Sequence, residues 1–178
     1  MTDNQLFALI IATLQAGLTT QAITVGIQQD YQPRLQGAPL APTLFLTKLG
    51  DHRYGTAHKK AVNTSPGQGT VTETQQVETT FQVGALAIQD PADTTGFTAS
   101  DYANVAAQIL ASDVSVAAFV SAGAQILRIT EVRNPQFKDE RDQFEASPSF
   151  DFVLKHFRTL VNGIPYTGTI VGEVFPVV

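Results

Sequence analysis

Six residues, Thr64–Gly69 (TSPGQG), constrain this chain more than any others. Proline fixes φ and removes a backbone donor, and glycine reaches left-handed angles without steric cost, so the chain must reverse there. Gly50–Asn63 precedes the turn, and a long threonine-rich run, Thr70–Ile88, follows it. Residues of that kind favour extended backbone. The spacing predicts a long polar hairpin centred on Pro66–Gly69 that projects beyond the core. Within the run, Val71, Val77, Phe81 and Val83 share one parity, while Leu86 and Ile88 take the other. A bulge or strand switch near Gly84 would reconcile the two.

The other segments supply what such a sheet needs to cover it. Thr2 or Asp3 can cap a helix, and Leu6, Phe7, Leu9, Ile10, Ile11 and Leu14 recur at helical spacing. Residues 3–16 therefore read as helix, with Gly17 as its stop. Ala22–Gln28 reads as a strand, Pro33, Gly37, Pro39 and Pro42 mark a loop, and Thr43–Leu49 reads as a second strand. After the loop Asp90–Gly96, Thr98 or Ser100 caps a helix through Leu110; Ser112 and Asp113 start another, which Gly123 ends. Ile126–Val132 is apolar on both parities, which predicts a central strand. Asn134–Ser147 reads as a charged connector. Phe150, Phe152 and Leu154 alternate in the next strand, and Ile164–Val177 reads as a final extended segment limited by Pro165 and Pro176. The expected fold class is α+β: a mostly antiparallel β-sheet with helices packed on one face and a long protruding β-hairpin. One domain spanning residues 1–178 is expected, with the hairpin arm around 50–83.

Chemistry is harder to find. There is no cysteine among the 178 residues, which excludes disulfides, zinc-thiolate sites and cysteine nucleophiles. The net charge of −5 argues against a general nucleic-acid binder, which needs a basic field. Leu6–Leu14 is too short to span a bilayer and lacks a basic flank, so a buried helix of a soluble intracellular protein is expected. His52, His58 and His156 match no metal-binding spacing, and structural or surface roles are expected for them. Asp90 and Asp93 read as turn residues rather than calcium ligands. Asp139, Glu140, Asp142 and Glu145 mix with Lys138 and Arg141, as in a solvated loop or an intersubunit ion-pair patch. No phosphate-cradling loop or nucleophile elbow is present. The expectation is therefore no enzyme, no cofactor and no metal. A small enzyme or ligand-binding domain stays open, because carboxylate pairs and histidine sites are spatial.

Charge layout says more than any motif. Residues 34–60 carry Arg34, Lys48, Arg53, Lys59 and Lys60 against Asp51 alone, a net of +4. Residues 61–127 contain no Lys or Arg and hold Glu73, Glu78, Asp90, Asp93, Asp101 and Asp113, a net of −6. Only 15% of the chain is charged, and Thr and Gln fill the gap with 21 and 16 residues. Sorted charge on a neutral-polar surface fits contacts between copies or neighbouring proteins, where complementarity sets register more than affinity.

Several segments together form a whole-length pattern: QQDYQP (Gln28–Pro33), PTLFLTKLGDHRYG (Pro42–Gly55), TETQQVETTFQV (Thr72–Val83), QDPAD (Gln89–Asp93), ILRITEVRNPQF (Ile126–Phe137) and FEASPSFDFVL (Phe144–Leu154). This pattern resembles the neck or tail-terminator proteins of long-tailed bacteriophages, with the gateway protein of contractile-tailed phages as the nearest variant. The resemblance implies a virion protein, assembled in the host cytoplasm, that forms a homohexameric ring on the tail tube. Such a ring ends tube polymerisation and joins the tail to the collar or head-completion protein above. Its implied partners are itself, the tail tube protein, the sheath as a further candidate, and that collar protein. Genomic DNA passes through the lumen without specific binding, and no membrane is involved. Another neck component, a head-side stopper or tail-completion protein, is the alternative. The expected intersubunit or tube-docking contacts are Arg53, Lys59, Lys60, Glu73, Glu78, Lys138, Asp139, Glu140, Arg141 and Asp142.

Overall fold

The computed structural model describes residues 1–29, 41–65, 68–88, 95–138, 144–146 and 148–165. Helix α1 runs Asp3–Thr20 behind a capping box: the Thr2 hydroxyl accepts from the Gln5 amide, and the Gln5 side chain accepts from the Thr2 amide. The helix does not stop at Gly17. It ends in a Schellman motif, in which the Ile23 amide donates to Leu18 and the Ala22 amide to Thr19. Ala22 takes the left-handed position (φ 55°) that glycine usually holds.

Gly17 serves a different purpose. A Cβ there would lie 2.3 Å from Ile109 Cγ2 and 2.9 Å from Ile109 Cγ1, so its bare backbone lets the second helix approach. Gly→Ala in an open helix interior gains about 1 kcal/mol. Overpacking typically costs about 1–3 kcal/mol. Gly17→Ala is therefore expected to lower stability by roughly 1 kcal/mol, the reverse of its propensity effect, read as a lower urea midpoint.

Strand β1 is Gly26–Gln29, shorter than expected because the Schellman exit consumes Ala22 and Ile23. It pairs in parallel with β2, Thr43–Arg53. Strand β3 is His58–Ser65 and β4 is Gln68–Leu86. Helix α2, Ala99–Ala111, starts at a Thr98 capping box with Asp101, and α3, Asp113–Ser121, starts at Ser112. Strand β5 is Ala124–Ile129. The expected connector holds a small ladder, β6 (Gln136–Lys138) with β7 (Phe144–Ala146). Strand β8, Ser149–Pro165, is one continuous strand, and the remainder of the expected final segment lies outside the described residues.

The main sheet has the order β1-β2-β4-β8-β5, with β3 continuing the β2 lane along β4. All pairings except β1–β2 are antiparallel. The α+β expectation thus holds. β5 is an edge strand rather than a central one. Apolar residues on both parities do not bury it, and Leu127 stays 44% exposed. No parity switch occurs near Gly84: β4 keeps Val77, Phe81, Val83 and Ala85 on the buried face, and Ile88 is simply exposed. The irregularity lies in β2, where the register shifts between Lys48 and Gly50.

One hydrophobic core lies between helices and sheet. Leu6, Ile10 and Leu14 of α1, Leu110 of α2 and Phe119 of α3 meet Leu44, Leu46, Phe81, Val83, Phe150, Phe152 and Leu154. Phe81 stacks on Phe152 with ring centres 5.6 Å apart, and Phe7 approaches Phe81 edge-on at 5.4 Å.

Candidate assembly surface

The arm foreseen from the Thr64–Gly69 turn is broader than a hairpin. β3 pairs with Gln68–Thr74 of β4, and the far half of β8 pairs with the other side of the same stretch, down to Gln68 opposite Pro165. The result is a three-stranded ribbon. Its inner end continues into the core, because β4 residues 77–85 alternate onto the buried face. The turn residues Pro66 and Gly67 lie outside the described residues.

A polar network sits where arm and core join. The β2 bulge turns Asp51 onto the helix-covered face, opposite Thr79. Lys48 Nζ donates to Asp3 Oδ2 at 3.0 Å and to Asp51 Oδ2 at 2.8 Å. Arg158 Nη2 donates to Asp3 Oδ1 at 2.5 Å and to Asp51 Oδ2 at 3.2 Å. The Thr79 hydroxyl donates to Asp51 Oδ1 at 2.7 Å. Its lone pairs then face His156 Nε2 at 2.9 Å, which assigns the ring proton to Nε2. The Met1 ammonium donates to the Phe157 carbonyl. The start of α1 is thereby tied directly to β2 and β8, and through Asp51 to Thr79 of β4.

Burial alone would raise the Asp51 carboxyl, but hydrogen bonds from Lys48 and Thr79 and the charges of Lys48 and Arg158 outweigh it and hold the group below its ordinary range. Burial lowers His156, and the N-terminal ammonium and Arg158 add to that. The folded state therefore favours neutral His156, while the unfolded state titrates near 6.5. Stability from this group is complete above that value and is lost as the pH falls through and below it. Asp51 adds a second acid-side loss below its ordinary 3.8. Urea midpoints should fall between pH 7 and 5, and His156→Gln should flatten that slope, whatever it does to stability at pH 7. An equal slope in both proteins would assign the decline elsewhere.

The residues expected to make contacts are distributed as follows. Lys59 Nζ pairs with Glu73 Oε1 of the adjacent strand at 3.0 Å, so these two charges neutralise each other within the arm. Lys60 and Arg53 are exposed. Glu78 accepts from the Tyr54 hydroxyl, a bond that raises the phenol. Lys138 belongs to β6, and Asp139, Glu140, Arg141 and Asp142 lie outside the described residues. The acidic block is not one face: Asp101 and Asp113 stand in the first turns of α2 and α3, where they complement the helix dipoles. Asp101 is held low by its bonds to Thr98. Asp90 and Asp93 lie outside the described residues.

The three histidines do not converge. His52 packs edge-on against Tyr54 and is exposed, His58 lies exposed on the arm, and His156 is fully buried. Among the described residues, no group of three or more His, Asp or Glu could hold a metal ion. A groove of about 540 Å³ between the helices is lined by Gly17, Ile23, Phe97, Ile109 and Val114, with no charged side chain. Among the described residues no single helix is long and apolar enough to cross a membrane. The network of Asp3, Lys48, Asp51, Thr79, His156 and Arg158 was not foreseen. Only the Lys48–Asp51 spacing hints at it, since the rest join residues up to 155 positions apart.

Among the described residues, exposed polar strands lie beside exposed apolar side chains such as Leu127, Leu160 and Val161. No curated protein sequence matches the chain. Among solved structures that match, the sheath/tube terminator of an extracellular contractile injection system (PVC), in its extended state, aligns with a TM-score of 0.50 at 12% identity. That alignment covers 100% of this chain and 65% of the terminator, and at such identity it speaks for the fold alone. Residues 5–166, nearly the whole chain, match the family described as E217 gateway protein gp29, and the chain belongs to that family.

Proposed function

We propose that this protein is a structural component of a phage tail, a subunit of the ring that terminates the tail tube. The family match over residues 5–166 carries the reading, and the fold shared with a sheath/tube terminator supports it. In this reading six copies close into a ring. The ring ends tube polymerisation, meets the tube and sheath below and a collar or head-completion protein above, and lets DNA pass through its lumen. Closure requires head-to-tail contacts between two different surfaces of each protomer. The arm and the β5 edge, with exposed Leu127, are two such surfaces. A lumen of neutral-to-acidic character repels phosphates and keeps DNA mobile.

Purified protein added to polymerising tail tubes should stop growth and appear in electron micrographs as a ring on the tube end. Tubes that lengthen unchanged and carry no added protein would overturn the reading. Lys60 is the exposed cation to reverse, because Lys59 is spent on Glu73. Lys60→Glu should weaken ring or tube association several-fold at low salt, with the difference shrinking as salt rises. Equal association at all salt concentrations would remove Lys60 from the contact.

A further inference from the structure

The two long edges of the arm are treated differently. The β3 edge carries Lys59 and Lys60, and lysines on an edge strand deter pairing with another chain. The β8 edge carries no such guard. β4 covers one side of β8 from Ser149 to Pro165, but β5 covers the other side only from Phe152 to His156. The Met1 ammonium takes the Phe157 carbonyl. From Arg158 to Ile164, no strand among the described residues pairs with this side. Arg158, the only charge on that stretch, is already bonded to Asp3 and Asp51. Leu160, Val161 and Ile164 are 58%, 60% and 36% exposed. By strand alternation Leu160 and Ile164 stand on one face and Val161 on the other. Exposed apolar side chains on both faces favour an added strand that is itself apolar on both parities and nearly free of charge.

The chain contains such a segment outside the described residues. Tyr166–Val178 holds Ile170, Val171, Val174 and Phe175 ahead of Pro176, which limits pairing beyond it, against one charged side chain, Glu173. It begins where the open edge ends, and its 13 residues extend to roughly 43 Å, about twice the edge's length. Pro165, the last residue of β8, has no amide to donate to the bond that closes a tight hairpin. A tight two-residue return is thereby disfavoured.

We infer that the segment 166–178 of one copy pairs as an added strand with the Arg158–Ile164 edge of a second copy. Donor and acceptor are different surfaces, so the contact is head-to-tail and propagates around a ring. The inference rests on the ring reading above.

The cysteine-free chain allows a direct test. Leu160→Cys is placed in one full-length chain, and a single cysteine at 170, 171, 174 or 175 in another. The two are mixed, assembled on tubes and mildly oxidised. At one tail position at least, covalent dimers should exceed those of either variant alone by about tenfold, since disulfides need Cα atoms within roughly 7 Å. Truncation after Pro165 should leave the thermal transition in place and abolish ring formation. Three results would overturn the inference while leaving the ring reading intact: rings without any such cross-link, a double-cysteine chain that closes only within itself, or normal rings from the truncated chain. Strong dimerisation of Leu160→Cys alone would also overturn it, as edge-to-edge pairing. Failure of the unmodified chain to form rings or cap tubes would instead defeat the ring reading itself.

Discussion

Phe81→Ala is expected to destabilise the protein by about 3–5 kcal/mol. Phe81 is fully buried, stacks on Phe152, receives the edge of Phe7, and stands at the middle of the sheet on β4. Its removal loses apolar transfer energy and leaves a cavity bounded by an aromatic ring on each side, which backbone-paired strands cannot collapse to fill. For a domain of this size each kcal/mol shifts the thermal midpoint by roughly 2–4 °C, so a drop on the order of 10 °C should be seen by circular dichroism. Phe97→Ala is the control: Phe97 is 47% exposed, and its loss should cost much less. Equal effects at the two positions would mean that the core is not centred on the β4–β8 ladder.

Removing the arm should have the opposite profile, with the fold kept and assembly lost. The join is available in the structure. The Tyr54 amide bonds the Gln76 carbonyl, the Gln75 side chain bonds the Gly55 carbonyl, and Gly55 already has φ +62°. Deleting residues 56–74 connects Gly55 to Gln75, so β2 and β4 close as a two-residue hairpin with glycine in the left-handed position. Ending the same chain after Thr159 removes the part of β8 that would lose its partner. The core residues of β2, β4 and β8 and the network around Asp51 all remain. A cooperative thermal transition should persist, while tube capping should fall below detection. An unfolded product would show that the ribbon is part of the core, and capping at the usual level would show that it plays no part in assembly.

Local signals were legible and long-range ones were not. The caps at Thr2, Thr98 and Ser112 follow from chemistry spanning three or four residues, and the structure has all three. The Thr64–Gly69 reversal was equally plain, since β3 and β4 pair on either side of it. Gly17 misled because a glycine at a helix end and a glycine under a crossing helix look alike in one dimension; what separates them is Ile109, 92 positions away. The helix end went unseen because alanine, not glycine, holds its left-handed position. β5 looked central because burial was inferred from hydrophobicity, yet an apolar strand can also be an edge awaiting a neighbour. The bulge at Lys48–Gly50 explains the missing site: it places Lys48 and Asp51 on one face, which strict alternation forbids. Charge blocks counted along the sequence also hide local pairings: Lys59 and Glu73 pair across strands, and Asp101 and Asp113 stand at helix ends.

Strand β4 extends for 19 residues, roughly 60 Å, and its two ends belong to different parts of the molecule. One end lies under the helices and the other carries the arm, with no turn or proline between them. Neighbouring β8 runs beside it through 17 paired positions. The arm is therefore a cantilever with its root built into the core, not a flap on a hinge. A pull along the arm loads the ladder in shear, with many hydrogen bonds sharing the force, whereas peeling would break them one at a time. A protomer braced in this way transmits tension from its tip to its body without first unfolding the joint.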